Sequence, residues 1–467
     1  MKPAIAPIGL DYLADSLIEA GHEPRLLDLC FSDDVSGDID AALHDGAPDI
    51  VGVTVRNTDD CYFSGGAFFL PGIKQIVDSL RQAQHDVPIV MGGVGFSVAP
   101  QAVMEFCGAD YGVAGEGELA LLKLLDALEN GGALDGVPNL LYRDGGVIVR
   151  NPSASLDLDT LPPRCRAFAD NRRYFAEGGQ AGIETKRGCK MHCIYCADPV
   201  AKGRHIRLRS PALVVEEIRY LLAQGIDHYH TCDCEFNIPG DHARDVCRAI
   251  IDAGIGEKIR WYAYCSVTPF DAEMANLFVR SGCAGVDFGA DSGHASMLRT
   301  LRRHYAPEDL VQTAKICHDA GIPFMYDLLV GGPGETRESI RETIELTRRI
   351  DADCVGVAMG VRVYEGTAMA ELVRAEGDAV SNPNLYGAKE NNPSFIRPVF
   401  YISSELGPGI VSYLHDLVGG DQRFFLPSSE ETNVNYNYND NTVLVQAIAG
   451  GARGAYWDIL RRMRNAR

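Results

Sequence analysis

Strand-like and helix-like segments alternate over much of this chain, and that alternation limits its fold more than any other feature of the sequence. In residues 1–131, the strand candidates are residues 25–29, 49–57, 88–95 and 110–118, and the helix candidates are residues 7–21, 71–83 and 119–128. Such a pattern predicts a parallel sheet with helices on both faces, whose ligands bind beyond the carboxyl ends of the strands. We therefore expect a doubly wound, Rossmann-like α/β domain over residues 1–131, with its first strand short or missing.

The alternation resumes at about residue 177. Strand candidates lie near residues 182–186, 228–232, 260–266, 285–289, 324–330 and 354–363, with helices between them. Six strand–helix units predict a partial (β/α)6 TIM-like barrel over residues 177–375, again with its site at the carboxyl ends of the strands. Residues 132–176 are interpreted as a linker with a hairpin at 140–150, and residues 376–467 as a smaller, mostly α-helical domain that caps the substrate.

The formal net charge of −21 predicts an acidic surface, which disfavours a nucleic-acid partner. No run approaches the roughly 20 apolar residues of a membrane span, and the N-terminus lacks the apolar region of a signal peptide. We therefore expect a cytoplasmic protein without membrane contact, whose 14 cysteines are mostly reduced thiols. Because no long apolar helix seam is found, we expect a monomer.

Three of the cysteines, Cys189, Cys193 and Cys196, follow the first strand of the predicted barrel with the spacing Cys-x3-Cys-x2-Cys. A structural zinc site needs four ligands, usually from two separated Cys-x2-Cys pairs, and the sequence has no second pair. Zinc with His192 as fourth ligand and a disulfide remain alternatives. A cluster of four irons also needs four ligands, so three cysteines would leave one iron open for a small molecule. Basic residues between 186 and 209 would stabilise thiolates and an anionic cofactor, or simply form a solvated loop.

The cysteine spacing, with aromatic Tyr195 before the last cysteine, resembles the signature of radical S-adenosylmethionine (radical SAM) enzymes. Residues 328–336 and 360–367 are similar to later strands of that superfamily. The resemblance implies a 4Fe–4S cluster held by the three cysteines, S-adenosylmethionine at the open iron, and a flavodoxin- or ferredoxin-type electron donor where reduction is needed. It also implies S-adenosylmethionine contacts at strand ends, for which the candidates are Tyr195, Asp233, Glu235, Asn237, Asp291 and Ser292. For the carboxylates, the alternative is a helix N-cap or a surface position.

The N-terminal region resembles the cobalamin-binding domain that precedes many radical SAM enzymes. The resemblance rests on residues 7–23, on the strand that ends at Arg56 and Asn57, and on the glycine turns at 92–95 and 115–118. Glycines at strand ends let backbone amides approach the phosphate or amide groups of a ligand. The candidate cobalamin contacts are Gly9, Leu10, Tyr12, Arg56, Asn57, Gly92, Gly93, Gly95, Gly115, Glu116 and Gly117. The alternative is a doubly wound domain that binds nothing.

The sequence lacks the Asp-x-His-x-x-Gly motif that usually places a histidine beneath cobalt. Arg56 ends a predicted strand on the ligand side of the domain. We interpret it as a non-ligating cation on the lower face of cobalamin, which would keep water off the metal. An ion pair with Asp59 or Asp60 is the alternative role for Arg56.

Cobalamin and S-adenosylmethionine together imply a C-methyltransferase that moves a methyl group from S-adenosylmethionine, by way of methylcobalamin, to a carbon of a small natural-product precursor. Residues 55–60, 233–239 and 261–270 look similar to the tryptophan 2-C-methyltransferase subgroup, which points to an indole-like or other heteroaromatic substrate. Two other classes stay open. One is a cobalamin-binding radical SAM enzyme that rearranges, cyclises or oxidises its substrate, and the other is a non-enzymatic cobalamin sensor.

The candidate catalytic residues are Tyr262, Tyr264 and Arg56. Because side chains alternate along a strand, the two tyrosines share one face of the predicted strand at 260–266. Either tyrosine could act as a base or orient the substrate, and packing in the barrel core is the alternative. The polar and aromatic stretch at residues 433–441 could line the substrate pocket, or it could form an ordinary loop.

Overall fold

Residues 2–63, 65–427, 436 and 441–466 are described by the computed structural model of the chain. The strands of its N-terminal region are β1 (Val51–Thr54), β2 (Ile89–Gly92), β3 (Tyr111–Val113), β4 (Leu140–Asp144) and β5 (Val147–Arg150). The helices are α1 (Ile8–Glu19), α2 (Val35–Asp45), α3 (Leu70–Ala83), α4 (Val94–Val98), α5 (Pro100–Cys107) and α6 (Glu118–Asn130). The strands form one sheet in chain order, in which β1, β2 and β3 run parallel and β4 and β5 add an antiparallel hairpin. The predicted hairpin therefore forms, but it extends this sheet.

The strand predicted at residues 25–29 is wrong. Residues Leu29–Phe31 form a 3₁₀ turn capped by Asp28, whose carboxylate also accepts a hydrogen bond from the Tyr174 hydroxyl at 2.8 Å. Phe31 packs on the Tyr174 ring, with 4.7 Å between the ring centroids. These tertiary contacts override the local strand preference. The described residues before α1 contain no strand either, as the sequence had indicated.

The second alternating region begins at residue 171. Its strands are β6 (Ala181–Ile183), β7 (Lys186–Arg187), β8 (Arg207–Leu208), β9 (His228–Thr231), β10 (Arg260–Cys265), β11 (Cys283–Asp291), β12 (Phe324–Val330), β13 (Cys354–Met359) and β14 (Val361–Arg362). Its helices are α7 (Asn171–Gly178), α8 (Asp198–Lys202), α9 (Pro211–Ala223), α10 (Gly240–Asp252), α11 (Ala272–Arg280), α12 (Ala295–Thr300), α13 (Pro307–Ala320), α14 (Arg337–Arg349) and α15 (Ala368–Ala375). The C-terminal elements are β15 (Leu385–Gly387), β16 (Val399–Tyr401), α16 (Ile410–Val418), β17 (Phe424–Phe425), α17 (Thr442–Ala449) and α18 (Tyr456–Asn465).

The main sheet of this region has seven parallel strands in the order β17-β13-β12-β11-β10-β9-β6. All six predicted barrel strands are therefore present. The seventh, β17, is too short and too far along the chain to be found from periodicity. A three-stranded antiparallel sheet, β14-β16-β15, lies beside it. The α/β fold class is confirmed, and the C-terminal region adds three short strands to its three helices.

Side chains of the main sheet alternate between two environments. In β10, Trp261, Ala263 and Cys265 face the surrounding helices and belong to the large hydrophobic core. Tyr262 and Tyr264 therefore face the other way, into the barrel, as the shared-face prediction required. Strand register sets Tyr264 beside Asp287 of β11. The barrel interior is thus lined by polar and aromatic side chains at the level of Tyr264.

The C-terminal helices close the barrel interior near the starts of its strands. Trp457 of α18 packs edge-on against Tyr262, with 6.3 Å between ring centroids. The Tyr262 hydroxyl donates a hydrogen bond to Asp458 at 2.9 Å. Met325 and Cys354, which also lie near strand starts, belong to the same apolar cluster. The opposite end, where the strands finish, faces the loops that carry the predicted site.

All 14 cysteines are free thiols. Cys107, Cys247, Cys317 and Cys354, which lie in apolar strand or helix patterns, are buried, and Cys30 and Cys283 are partly buried. None of the described helices has both the length and the apolar character needed to cross a membrane.

Candidate active site

A cavity of about 300 Å³ separates the N-terminal sheet from the first loops of the barrel. The N-terminal side contributes the start of α1 and the ends of β1, β2 and β3. The barrel side contributes Arg187, Lys202, Arg207 and Cys232. Apolar atoms form most of the lining. The loop region that carries the three cysteines therefore borders the same space as the glycine turns.

Most of the predicted cobalamin contacts lie on this cavity. They are Gly9, Leu10, Tyr12, Gly92, Gly93, Gly115, Glu116 and Gly117. Three of the barrel residues on its wall, Arg187, Lys202 and Arg207, belong to the basic stretch predicted to stabilise an anionic cofactor, whereas Cys232 was not anticipated. Cys232 follows β9 directly, so the rule that ligands bind beyond strand ends could have found it.

One hydroxyl group joins the two glycine turns. Ser97 Oγ donates to the Gly93 carbonyl at 2.8 Å and accepts a hydrogen bond from the Gly115 amide at 2.8 Å. Gly93 has a φ of 98°, and a Cβ there would lie only 2.6 Å from the Val55 carbonyl oxygen. A side chain at this position is therefore excluded both by backbone conformation and by space. The turns are rigid, and they present backbone rather than side chains to the cavity.

Three predicted contacts, Arg56, Asn57 and Gly95, do not line the cavity, and two others, Tyr12 and Glu116, have partners within the protein. A Cβ on Gly95 would lie 2.9 Å from the Asn57 backbone, so the glycine serves close chain packing. Tyr12 lines the cavity, but its hydroxyl donates to Glu217 at 2.8 Å. Glu116 also lines it, but its carboxylate accepts hydrogen bonds from Arg207 at 2.8 Å and from the Leu156 amide at 2.7 Å. The Tyr12 hydroxyl and the Glu116 carboxylate are therefore hydrogen-bonded to other groups of the protein.

The three cysteines lie on the loop between β7 and α8. The Cys189 amide donates to Gly203 at 3.1 Å, which ties the start of the loop to the end of α8. The thiols of Cys189 and Cys234 are hydrogen-bonded, and this contact is the main cause that lowers the pKa of Cys189 to about 6. Burial instead raises the pKa of Cys193 and of Cys196. Among the described residues, no three His, Cys, Asp or Glu side chains converge on a single metal-ion position.

Arg303 connects the cysteine loop to the strand ends. Its guanidinium donates to Cys193 Sγ at 2.9 Å, and it lies 3.3 Å from Asp291 and 3.5 Å from Glu235. The Tyr195 hydroxyl donates to Asp291 at 2.7 Å. Burial raises the pKa of Glu235 to about 7 despite the opposing effect of Arg303. Three predicted S-adenosylmethionine contacts are thus gathered around one arginine that the sequence reasoning missed.

The other predicted S-adenosylmethionine contacts have structural partners. Asp233 accepts hydrogen bonds from the Thr185 amide and hydroxyl, at 2.9 and 2.6 Å. Asn237 is fully buried, and its amide group bonds three backbone groups, those of Ser266 among them. Ser292 is buried and bonds Thr343. Asp233, Asn237 and Ser292 therefore hold the loops together, and their contacts with S-adenosylmethionine stay predictions.

The basic residues near the cysteine loop are largely neutralised by acids. Arg187 binds Glu118 at 2.6 Å and Glu184 at 2.8 Å, and Arg209 binds Glu217 at 2.6 Å. Lys202 pairs with Asp198 at 3.4 Å, and its ammonium group also lies 3.9 Å from the Cys234 thiol. Lys186 contributes to lowering the pKa of Cys189, and Lys202 acts to lower that of Cys234, so the predicted stabilisation of thiolates is supported for these two residues of the stretch.

The candidate catalytic residues occupy different levels of the barrel. Tyr262 lies at the closed end, where its hydroxyl is bound to Asp458. Tyr264 is 42% exposed and faces the His230 ring at a centroid distance of 4.8 Å. Burial of its hydroxyl raises the pKa of Tyr264 well above its usual range; Asp287 and Asp327 raise it further and Arg56 lowers it. Arg56, which follows β1, therefore acts on the barrel interior from the N-terminal domain.

The proposed alternative partners of Arg56 have contacts of their own. Asp59 forms a buried ion pair with Arg362 at 2.8 Å, and Asp60 accepts hydrogen bonds from the Tyr62 and Ala67 amides. Of the predicted pocket stretch at 433–441, Tyr436 lies within the described residues and contacts Asp327. Tyr438, Asn435, Asn437 and Asn439 lie outside them.

The residues present fit the two cofactors that the sequence patterns imply. A cavity of about 300 Å³ suits a planar base with its sugar, as in the nucleotide tail of cobalamin, but is smaller than a corrin ring. Its apolar lining and its two glycine turns match an aromatic group next to amide and phosphate groups. A 4Fe–4S cluster takes one cysteine per iron, so its ligands need not converge on one point. The lowered pKa of Cys189 favours the thiolate that such a cluster requires.

Two protein families match the chain in separate regions. The Radical SAM superfamily matches residues 183–347, and the B12 binding domain matches residues 2–125. Among curated proteins, tryptophan 2-C-methyltransferase from Streptomyces laurentii is 31% identical, over 98% of this chain and 94% of its own length. An uncharacterized methyltransferase from Pyrococcus horikoshii is 28% identical, over 79% of this chain and 78% of its own.

A solved structure covers nearly the whole fold. The radical S-adenosylmethionine methyltransferase TsrM from Kitasatospora setae, with tryptophan and a S-adenosylmethionine analogue bound, has a TM-score of 0.91 and 32% identity, over 99% of this chain and 97% of its own. The same enzyme has also been solved with cobalamin and a [4Fe-4S] cluster. The cobalamin-dependent enzyme OxsB shares the fold, with a TM-score of 0.72 and 17% identity over 86% of this chain and 62% of its own.

The cavity assignment is tested at Gly9. Gly9 lines the cavity, and a Cβ there would meet no atom within 4 Å, so Gly9→Phe fills space without disturbing the fold. We expect purified Gly9→Phe to bind much less cobalamin than the native chain while retaining its iron. Cobalamin and iron are measured per mole of protein. Gly72→Phe, another helical glycine with open space around it, is the matched control; equal cobalamin in both variants would contradict the assignment.

The cysteine loop is tested by removing its thiols one at a time. Replacing Cys189, Cys193 or Cys196 by Ala should abolish cluster binding, because each iron without a thiolate is open to loss. Iron and sulfide content after anaerobic reconstitution measure this, together with the visible absorption of the cluster. Cys165→Ala, a partly buried cysteine of the segment before the barrel, is the control. Undiminished iron in the three loop variants would remove these cysteines from the site.

Proposed function

The chain belongs to the cobalamin-dependent radical SAM methyltransferases, and on that premise we propose that it methylates a ring carbon of an aromatic amino acid of the tryptophan type. The observation that carries the proposal is the similarity to tryptophan 2-C-methyltransferase over nearly the full length of both chains. A second support is the fold similarity to a structure that contains tryptophan. An aromatic and acidic barrel interior suits the same class of substrate.

We propose that this chain holds three ligands in two adjoining places. The glycine turns and the cavity would bind cobalamin, and Cys189, Cys193 and Cys196 would bind a 4Fe–4S cluster. Tyr195, Glu235 and Asp291, gathered around Arg303, would bind S-adenosylmethionine. When bound, cobalamin supplies a metal that can accept and donate a methyl group, and the cluster supplies electrons and an open iron.

The work of the protein is then positioning and electrostatics. Arg303 places a positive charge beside Cys193 and holds Asp291 and Glu235 near it, which fixes the polar end of a ligand at the strand ends. Tyr264 is exposed on the inner face of the barrel, where it can orient an aromatic substrate; its raised pKa keeps it a neutral phenol, which is a poor proton acceptor. Tyr262 has no proposed part in the reaction, because its hydroxyl is bound to Asp458 at the closed end of the barrel. Monomeric state, cytoplasmic location and the electron donor remain predictions.

Isotope transfer tests this function. The chain, reconstituted anaerobically with iron, sulfide and cobalamin, is incubated with L-tryptophan and S-adenosylmethionine that carries a deuterated methyl group. We expect a product heavier by one deuterated methyl group and an accumulation of S-adenosylhomocysteine, both detected by mass spectrometry. 5′-Deoxyadenosine without methylated product would favour rearrangement or oxidation instead. No turnover of tryptophan or of other indoles would favour the sensor.

Arg56 is the proposed non-ligating residue on the lower face of cobalamin. Arg56 follows β1 and is exposed. It lowers the pKa of Tyr264 and of Tyr456, whereas burial is the main cause that raises the pKa of both tyrosines. A guanidinium stays protonated and cannot ligate a metal, so it would keep water from the lower face.

Electron paramagnetic resonance of the Co(II) form distinguishes this role from ligation. We expect no splitting from a protein nitrogen in the native chain, and a new nitrogen splitting in Arg56→His, because imidazole is a good metal ligand. Arg150→His, an exposed arginine of the β4–β5 hairpin, is the control. Nitrogen splitting in the native chain would show that this domain ligates cobalt and would end the proposal.

A further inference from the structure

Two carboxyl groups face the barrel interior on neighbouring strands. Asp287 lies on β11 and Asp327 on β12, and both belong to the inward-facing set of side chains. Strand register places Asp287 beside Tyr264, and it places Asp327 beside Gly289, two residues along from Asp287. The two carboxyl groups lie close enough for each to affect the pKa of the other. Neither carboxyl group holds a loop in place as Asp233 does through its hydrogen bonds with Thr185.

Asp287 is a buried carboxyl group without a hydrogen-bond donor. It is 1% exposed, and neither of its oxygens has a hydrogen-bond partner among the described residues. A buried polar group without a partner is costly, and its presence calls for an explanation. Burial, followed by the charge of Asp327, raises the pKa of Asp287 well above its usual range.

The surroundings of the pair add negative charge and no positive charge. Burial, with a smaller contribution from Asp291, raises the pKa of Asp327 to about 6 against the lowering effect of the Tyr436 hydrogen bond. Glu235 acts on Asp287 in the same direction. Within the part of the chain that the structure describes, no cationic side chain acts on either group. The pair is therefore an acidic site, and the groups that shift its pKa values include no cationic side chain of the described residues.

Two features hold Asp327 in place. The Tyr436 hydroxyl donates to Asp327 Oδ1, and both atoms sit against Gly356 of β13. A Cβ at Gly356 would overlap Asp327 Oδ1 and lie 2.6 Å from the Tyr436 hydroxyl oxygen. Glycine at this strand position thus makes room for the contact. Asp327 is also partly exposed, so the pair borders open space on the side of Tyr264.

We propose that Asp287 and Asp327 form the subsite that binds the α-ammonium group of the substrate. The inference rests on the amino-acid substrate proposed above and names the residues that recognise it. A primary ammonium group is small, carries a positive charge and has three donors, enough to satisfy both carboxyl groups. The ring of the substrate would then lie against Tyr264 and His230, whose own rings are in contact.

A substrate without the amino group tests the proposal. L-Tryptophan is compared with indole-3-propionate, which has the same ring and carboxylate but no amine. In Asp287→Asn and Asp327→Asn, kcat/KM for tryptophan should fall at least about 30-fold, the size expected when a buried charge pair is broken. In the same two variants, kcat/KM for indole-3-propionate should change less than about threefold. The two variants should therefore lose the preference for the amine that the native chain shows.

Thermal unfolding without substrate gives a readout that is independent of activity. Asp287→Asn keeps the shape and removes an unpartnered buried carboxyl group that lies beside the acidic Asp327, so its melting temperature should rise. Asp458→Asn is the matched control, because Asp458 is equally buried but is bound by Tyr262, Arg461 and Arg462. That variant should melt earlier and keep the native preference for the amine.

The outcomes separate this inference from the proposed function. If the native chain methylates tryptophan and indole-3-propionate equally well, the ammonium subsite is wrong and the methyltransferase proposal stands. The ammonium subsite is also wrong, and the methyltransferase proposal still stands, if kcat/KM falls equally for both substrates in the Asp287 and Asp327 variants. If the native chain methylates neither compound, the proposed substrate class fails and the inference fails with it.

Discussion

A buried guanidinium determines how the first helix sits on the barrel. Arg166 has no solvent exposure and contacts Asp11 of α1 and Glu217 of α9, each at 2.9 Å. It also donates to Asn171 at the start of α7 and to the carbonyl of Gly182 in β6. Because a buried charge tolerates no loss of a partner, these four elements are fixed to one another. The cavity at the start of α1 exists because that helix is held there.

A second set of ion pairs joins the glycine turn at 115–118 to the cysteine loop. Glu116 and Glu118 come from the N-terminal domain, and Arg187 and Arg207 flank the loop. These four charged residues span 92 positions of the sequence, and they meet at one wall of the cavity. The cavity and the cysteine loop, proposed to hold the two cofactors, are therefore joined directly by these ion pairs.

Local patterns in the sequence predicted much of this structure. The cysteine loop, the six barrel strands and the glycine turns can each be recognised from a short stretch of sequence, and all of them are present in the structure. The strand predicted at 25–29 failed because Asp28 and Phe31 make contacts with Tyr174, which no local pattern records. Arg303 was missed for the same reason, since it lies more than 100 residues from Cys193, which it contacts.

Residues at strand ends were the least predictable. Asp233 and Glu235 are separated by one position, yet Asp233 caps a backbone turn and Glu235 faces Arg303. Alternation along the chain shows which side chains share a face, but it does not show which donors they meet. The same limit applies to Tyr262 and Tyr264, whose common face was predicted correctly and whose surroundings differ completely.

Gly356 offers a way to classify related chains. Its missing side chain leaves the room in which Asp327 and Tyr436 meet, so any larger residue there is incompatible with that arrangement. Homologues that carry alanine or valine at this strand position must recognise their substrates differently, whatever their overall similarity. One column of a genomic alignment would then separate enzymes with this pocket from those that have only inherited the scaffold.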